Sequence, residues 1–244
     1  MKLYHYTSIK SLAAILSSKK IRFTRLDLVD DPEEYCYTKD GIDYAKYVYV
    51  SCFTDNCHEN IPQWQMYADN KHGVRIEVDS NLFDIVTDKN HKYACFPQKY
   101  YIDKEYMIMP LLENKILYEI QYVEDVSKAI EDNIYKIIPE GKVIDFKVTG
   151  IYKNTDWAFL HEYRYILHVF PKQLGKISYA QYHLMNHCYP KIEHIDLPIK
   201  LSAYNSMNIM IGPKVDSSEE CIISSLMHKY LGREDYKESS FRNK

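Results

Sequence analysis

A chain of 244 residues, 46% of them hydrophobic and with a mean hydropathy of −0.43, carries enough apolar material for one large core or two small ones. Its 31 Lys and Arg against 34 Asp and Glu leave a net charge of −3, which gives no global electrostatic argument for nucleic acid and leaves only a local patch open. No stretch approaches the roughly 20 apolar residues of a membrane span, and residues 1–20 hold no uninterrupted apolar run, so the expectation is no membrane, no secretory leader and a cytoplasmic location.

In chain order, Leu3-Tyr4-His5-Tyr6-Thr7 reads as a short strand that delivers a histidine. Thr7 or Ser8 can then cap a helix with Ile9, Leu12, Ile15 and Leu16 on one face, ending at Lys19-Lys20. Lys46–Phe53 is β-branched and aromatic, a buried strand, followed by a polar loop over Asp55–Pro62. Gln63–Asp69 forms a short helix with Trp64, Tyr67 and Ala68 on a shared face, and Gly73–Asp79 alternates as a half-buried strand. Ile116–Glu124 is a further strand, and Asp125–Ile138 a helix with Val126, Ile130, Ile134 and Ile137 aligned. A strand opens at about Glu162, and Met207–Gly212 is short, apolar and stopped by Gly212-Pro213. Ser217 or Ser218 caps a last helix through Leu231 with Cys221, Ile222, Leu226 and Tyr230 inward and Gly232 just beyond it.

The mildly basic stretch from about 232 reads as a solvated tail. No repeat or linker divides the chain, and strands and helices interleave irregularly. The reading is a single α+β domain over 1–244, with a mostly antiparallel, split sheet and flanking helices.

Six cysteines (Cys36, Cys52, Cys57, Cys95, Cys188 and Cys221) lack a repeated spacing and are expected as reduced, mostly buried thiols. The 24 tyrosines accompany abundant Lys, Ile and Asn, which points to an A/T-biased coding sequence rather than to a tyrosine-based function. His161-Glu162 is not a zinc-protease motif, because position 165 is Tyr. His183 and His187, with Cys188 beside them, have helical metal-ligand spacing, but no acidic partner follows, so no metal is assigned. Cys52 falls mid-strand, a core position rather than a nucleophile's. There is no GxGxxG and no Walker loop. Glu162 and Arg164 stand two apart on a strand and so share a face, either as a structural ion pair or as a poised electrostatic group. His5 likewise either bonds a carbonyl within the fold or serves a binding site.

The ordered set LYHYTS, DDPEE, VSCF, WQMYA with GVRIEV, W-x4-EYR, IMIGP and YKESSF resembles the bacterial domain-of-unknown-function family 2971 across the whole chain. In that family the second element reads NDPFE and the late one W-x-YE-x-EWR. Here Asp30 stands in place of Asn, and Leu160 in place of the first acidic residue. More distantly, the opening His-Tyr-Thr and the late strand-borne glutamate resemble the ADP-ribosyltransferase superfamily.

That second resemblance implies NAD as substrate, with His5 binding its ribose, Ser51 or Tyr67 supporting nicotinamide and Glu162 catalytic. Arg164 orients Glu162 or holds a phosphate, and Tyr6, Thr7, Phe53 and Trp64 complete the candidate cofactor-binding set. Asp31 and Glu34 order a loop over the site or cap a helix. The expected function is ADP-ribosyl transfer to an unknown protein or nucleic acid, in a toxin or phage-defence setting. The alternatives are NAD hydrolysis and a non-catalytic module that binds a nucleotide or nucleic acid.

Overall fold

Apolar residues in the first seven positions extend as β1 (Lys2–Thr7) in the computed structural model, which describes residues 1–35, 37–39, 41–87, 94–95, 106–108, 115–138, 141–171 and 189–242. Ser8 caps α1 (Ile9–Ser18), its side chain accepting from the Ser11 N–H, and the helix stops at Lys19, whose φ of 55° turns the chain into β2 (Lys20–Arg25). β3 (Val48–Thr54), α2 (Ile61–Met66) and β4 (Val74–Asp79) follow. Next come β5 (Tyr106–Ile108), β6 (Leu117–Glu119), β7 (Gln121–Val123), α3 (Val126–Asn133), α4 (Val148–Ile151) and β8 (Tyr152–Asn154). β9 (Glu162–Pro171), β10 (His194–Pro198), α5 (Leu201–Asn205), β11 (Asn208–Ile211), α6 (Ser217–Leu231) and β12 (Lys237–Glu238) complete the framework around the main sheet, beside shorter strands and 3-10 turns.

Among the described residues, ten strands form one mostly antiparallel sheet with the path β6-β9-β3-β1-β4-β11-β12. β5 extends β9, while β2 joins β3 and carries β10. β3 is the hub. Along one edge it pairs with β9, from Thr54 opposite Glu162 to Val48 opposite His168. Its other edge is shared: β1 takes the Thr54 end (Tyr4 opposite Thr54), and β2 takes the far end (Thr24 opposite Val50). The two prongs, joined by α1, therefore diverge and leave a gap beside Ser51–Phe53.

Strand alternation splits the core into two layers. Tyr49, Phe53, Tyr165 and Leu167 pack with Leu12 and Leu16 of α1 and with Ile223 and Met227 of α6. Val48, Val50 and Ile166 pack on the opposite face with Val126 and Ile130 of α3 and with Val148 and Ile151 of α4.

Several sequence expectations are corrected. The helix from Asp125 ends at Asn133, and Tyr135–Ile138 pairs instead with Gly141–Ile144 as a hairpin; the β-branched, aromatic run favours extension, and Ile137 is exposed rather than inward. Ile116–Glu124 is two strands broken at the buried Ile120: β6 pairs with β9, and β7 pairs parallel with β8. α2 begins inside the expected polar loop because Asn60 caps it and Pro62 suits its first turn.

α6 is capped by Asp216 in a capping box with Glu219, not by Ser217 or Ser218. Its inward face centres on Ile223 and Met227, with Leu226 and Tyr230 partly buried beside them as expected, whereas Cys221 and Ile222 are exposed. The expectation of mostly buried thiols also fails for Cys57 and Cys221. The basic tail is docked, with β12 parallel to β11 and Arg242 paired with Glu220 at 2.7 Å. Cys36, His183, His187 and Cys188 lie outside the described residues, and Cys95 falls in a two-residue strand, Ala94–Cys95.

Candidate functional site

The gap between the prongs is a cavity of about 620 Å³, within the range of roughly 300–1,000 Å³ usual for small-molecule sites. Its walls come from β1, α1, β2 and the Val50–Thr54 segment of β3, with Lys153, Leu160, Glu162 and Arg164 also lining it.

His5 stands at the fork. Its Nδ1 lies 2.9 Å from the Cys52 carbonyl oxygen, a group that only accepts, so Nδ1 carries the proton and donates. Burial lowers the imidazole pKa against the opposing pull of that carbonyl. The ring is therefore neutral at pH 7, and Nε2 keeps its lone pair as an acceptor. His5 bonds a backbone carbonyl within the fold, and its ring also lines the cavity. Phe53 supports the ring at a centroid distance of 5.0 Å.

Glu162 is the first residue of β9. The 3-10 turn Thr155–Leu160 precedes it, and His161, in the left-handed region at φ 46°, swings the chain from that turn into the strand. The Glu162 N–H donates to the Tyr122 hydroxyl at 2.8 Å. Its carboxylate belongs to a buried quartet. Arg164 Nε donates to Oε1 at 2.5 Å, and Lys153 Nζ sits 3.3 Å from Oε2. Glu34 closes the set, with one oxygen 3.0 Å from Lys153 Nζ and a two-pronged pairing to the Arg164 guanidinium.

Two carboxylates and two cations thus balance in a site where all four side chains are nearly solvent-free. Burial alone would raise the Glu162 pKa, but Arg164 and Lys153 together outweigh it and lower the carboxyl to about 2. Burial opposes the charge on Lys153, yet Glu162 and Glu34 keep its pKa raised; they also hold Arg164 firmly protonated. Trp157 covers the Lys153 ammonium at 4.6 Å from its ring centroid. Cys52 lies beside Glu162 on the same sheet face, and burial, then Glu162, push its thiol pKa far up, so it stays protonated.

The structure places the remaining expected residues as follows. Tyr6, Thr7, Ser51, Phe53 and Tyr67 all line the cavity beside His5, Glu162 and Arg164. The Tyr6 hydroxyl is occupied, accepting from the Asn60 N–H at 3.1 Å. Tyr67 is half buried, its phenol pKa raised by burial and then by Glu162. Trp64 departs from the set. It is fully buried behind Tyr6 in an edge-on contact at 4.9 Å, its Nε1–H donates to Glu59 Oε2 at 2.9 Å, and it is not among the cavity-lining residues. Ser239 and Ser240 clamp the same Glu59 carboxylate, which ties the chain end to the loop ahead of α2.

Asp31 caps its own turn, accepting from the Glu33 N–H at 3.0 Å, whereas Glu34 enters the quartet; the segment just before them, Leu28, Val29 and Asp30, lines the cavity. Leu160 is buried, lines the cavity and accepts from Gln63 Nε2 through its carbonyl at 2.8 Å. Sequence reasoning missed Lys153 and Tyr122. Their sole local signals, β7 and β8, are three residues each and pair parallel only in three dimensions. Among the described residues no group of three metal-ligating side chains assembles, and no helix is long and apolar enough to cross a membrane.

The family model described as a protein of unknown function, DUF2971, matches residues 63–165. The match supports the resemblance to that family and spans Tyr67, Lys153, Glu162 and Arg164, while His5 and Glu34 lie before it. No curated protein and no solved structure matches the chain.

Proposed function

We propose that this protein cleaves the nicotinamide–ribose bond of NAD and transfers ADP-ribose to a macromolecular acceptor. The observation that carries this reading is that the neutral His5, Tyr67 and the ionised Glu162 front one cavity at the fork of the sheet. As the C1′–N bond breaks, its electron pair leaves with nicotinamide and positive charge develops on the ribose. An ionised carboxylate beside that centre stabilises it. The acceptor's nucleophile then bonds C1′ and releases its proton to solvent. His5 Nε2 accepts from a ribose hydroxyl, and the Tyr67 ring faces the nicotinamide. Arg164 and Lys153 hold Glu162 ionised and oriented. NAD hydrolysis is the same chemistry with water in place of the acceptor.

A second reading, of a different class, draws on the engagement of both Glu162 oxygens, one by Arg164 and one by Lys153. A carboxylate so fully paired suits a structural role, and the cavity is then a non-catalytic nucleotide- or nucleic-acid-binding module. Nicotinamide release from NAD, measured for wild type and Glu162→Gln with and without cell lysate, separates the readings. Release that disappears in the variant supports NAD chemistry, and dependence on lysate supports transfer over hydrolysis. Folded wild type that releases none in any condition sinks the enzyme reading and leaves the binding module.

A further inference from the structure

We infer that the outer part of this cavity is an anion subsite, built by Lys10 of α1 and Lys20 of β2, that holds the diphosphate of a dinucleotide whose reacting end lies at Glu162. This rests on the reading of the cavity as an NAD site. Two elements converge to form it. α1 turns Lys10, Ser11, Ala14 and Ser18 toward the cavity, a spacing that places them on one helix face. β2 supplies Lys20, Arg22 and Thr24 from alternate positions, hence from one strand face. The two walls meet where Lys19 turns α1 into β2.

Charge matching singles out the two lysines. Five cations line the cavity, and three are already satisfied: Lys153 and Arg164 by Glu162 and Glu34, and Arg22 by Asp196 through two bonds of 2.9 and 3.0 Å. Lys10 and Lys20 form no ion pair among the described residues and both are exposed, Lys20 standing near the Asp196 carboxylate that Arg22 already engages. Two exposed ammonium groups lining one cavity match the two negative charges of a diphosphate, which lysine binds as a point charge. The small Ser11, Ala14 and Ser18 side chains leave the α1 wall shallow enough for that group to lie along it. The arrangement also divides the labour: exposed lysines capture charge, and the buried quartet meets the sugar.

The test is calorimetric titration of the full chain with ADP-ribose, with adenosine and with inorganic pyrophosphate. Wild type should bind ADP-ribose saturably, bind adenosine more weakly and lose ADP-ribose to pyrophosphate. Lys10→Gln/Lys20→Gln should weaken ADP-ribose by about tenfold (~1.4 kcal/mol) and flatten the salt dependence of binding, with the melting temperature unchanged. Lys10→Arg/Lys20→Arg should retain most of the affinity. Equal ADP-ribose affinity in wild type and the Gln pair overturns the subsite, as does wild type with no saturable binding. If ADP-ribose binding depends on the lysines but no nicotinamide is ever released, the subsite stands and the transferase reading falls. If nicotinamide is released with the same KM in the Gln pair, the transferase reading stands and the subsite falls.

Discussion

Replacing Glu34 by Gln keeps the side chain's volume and removes one charge from the centre of the quartet. Lys153 and Arg164 would then face a single carboxylate, Glu162, in a site where the Glu34 side chain has no solvent exposure. Uncompensated charge left by removing one partner of a buried pair costs about 3–5 kcal/mol. For a chain of this length each kcal/mol lowers Tm by roughly 2–4 °C, so the variant should melt about 6–20 °C below wild type. Calorimetry or urea unfolding reads this directly. The decisive arm is the double variant Glu34→Gln/Lys153→Met, which removes one charge of each sign and leaves the Arg164–Glu162 pair intact. It should recover part of the loss, with a coupling of about 1–3 kcal/mol between the sites. A Glu34→Gln protein that melts within about 2 °C of wild type, or a double variant as unstable as the two single losses combined, would refute the charge-balance account.

Other outcomes follow from the same geometry. Glu162, with its pKa lowered from 4.5 to about 2 in the fold, binds protons less readily folded than unfolded. Its stabilisation of ~3 kcal/mol is complete above pH 4.5 and is lost as pH falls toward 2; acid titration of Glu162→Gln should lack that part of the slope. His168 behaves with the same sign at higher pH. Burial, opposed by Asp145, lowers its pKa from 6.5 to about 4, and its Nε2 is buried without a hydrogen-bond partner. The fold should therefore lose ~3 kcal/mol between pH 6.5 and 4 through this residue, and urea midpoints of His168→Phe over that window should be flatter; an unchanged slope would remove His168 as the cause. Asp216→Ala deletes the α6 cap and should cost about 1 kcal/mol, a shift of roughly 2–4 °C in Tm, while leaving nicotinamide release untouched.

What the sequence disclosed depended on how local each determinant is. The strand that carries His5, the helix behind it and the strand that opens at Glu162 all follow from periodicity within a few residues, and the structure forms each of them. The face shared by Glu162 and Arg164 was legible for the same reason, since a period of two needs no tertiary information. Their partners were not. Glu34 reaches Arg164 across 130 positions, and Lys153 belongs to a strand that exists only through its pairing with β7. Trp64 shows the limit from the other side: sequence placed it beside Tyr67 on α2, but only the packing of Tyr6 and the Glu59 bond decides that one ring is core and the other fronts the cavity. The α6 face was misread in part because Ile222-Leu226-Tyr230 and Ile223-Met227-Leu231 both have i,i+4 spacing, and packing in the core with Leu12 and Leu16 decides between the two stripes.

The register of β9 on β3 is what joins the two halves of the site. Arg164 lies opposite Cys52, so Glu162, Arg164 and the Cys52 side chain share one face of the sheet. The Cys52 carbonyl points within the sheet plane, into the gap left by the diverging prongs, where His5 takes it. One residue of β3 therefore turns its thiol to the face of the carboxylate and bonds the imidazole by its backbone. A slip of one residue would turn Glu162 and Arg164 toward the layer of Phe53 and send Tyr165 to the face they leave, setting two charges against apolar packing. Phe53 resists that slip by packing edge-on against Tyr165 at 5.4 Å on the opposite face, and the quartet resists it on its own face. Apolar packing on one side and charge pairing on the other thus select the same register, the one that brings His5 and Glu162 to a common cavity.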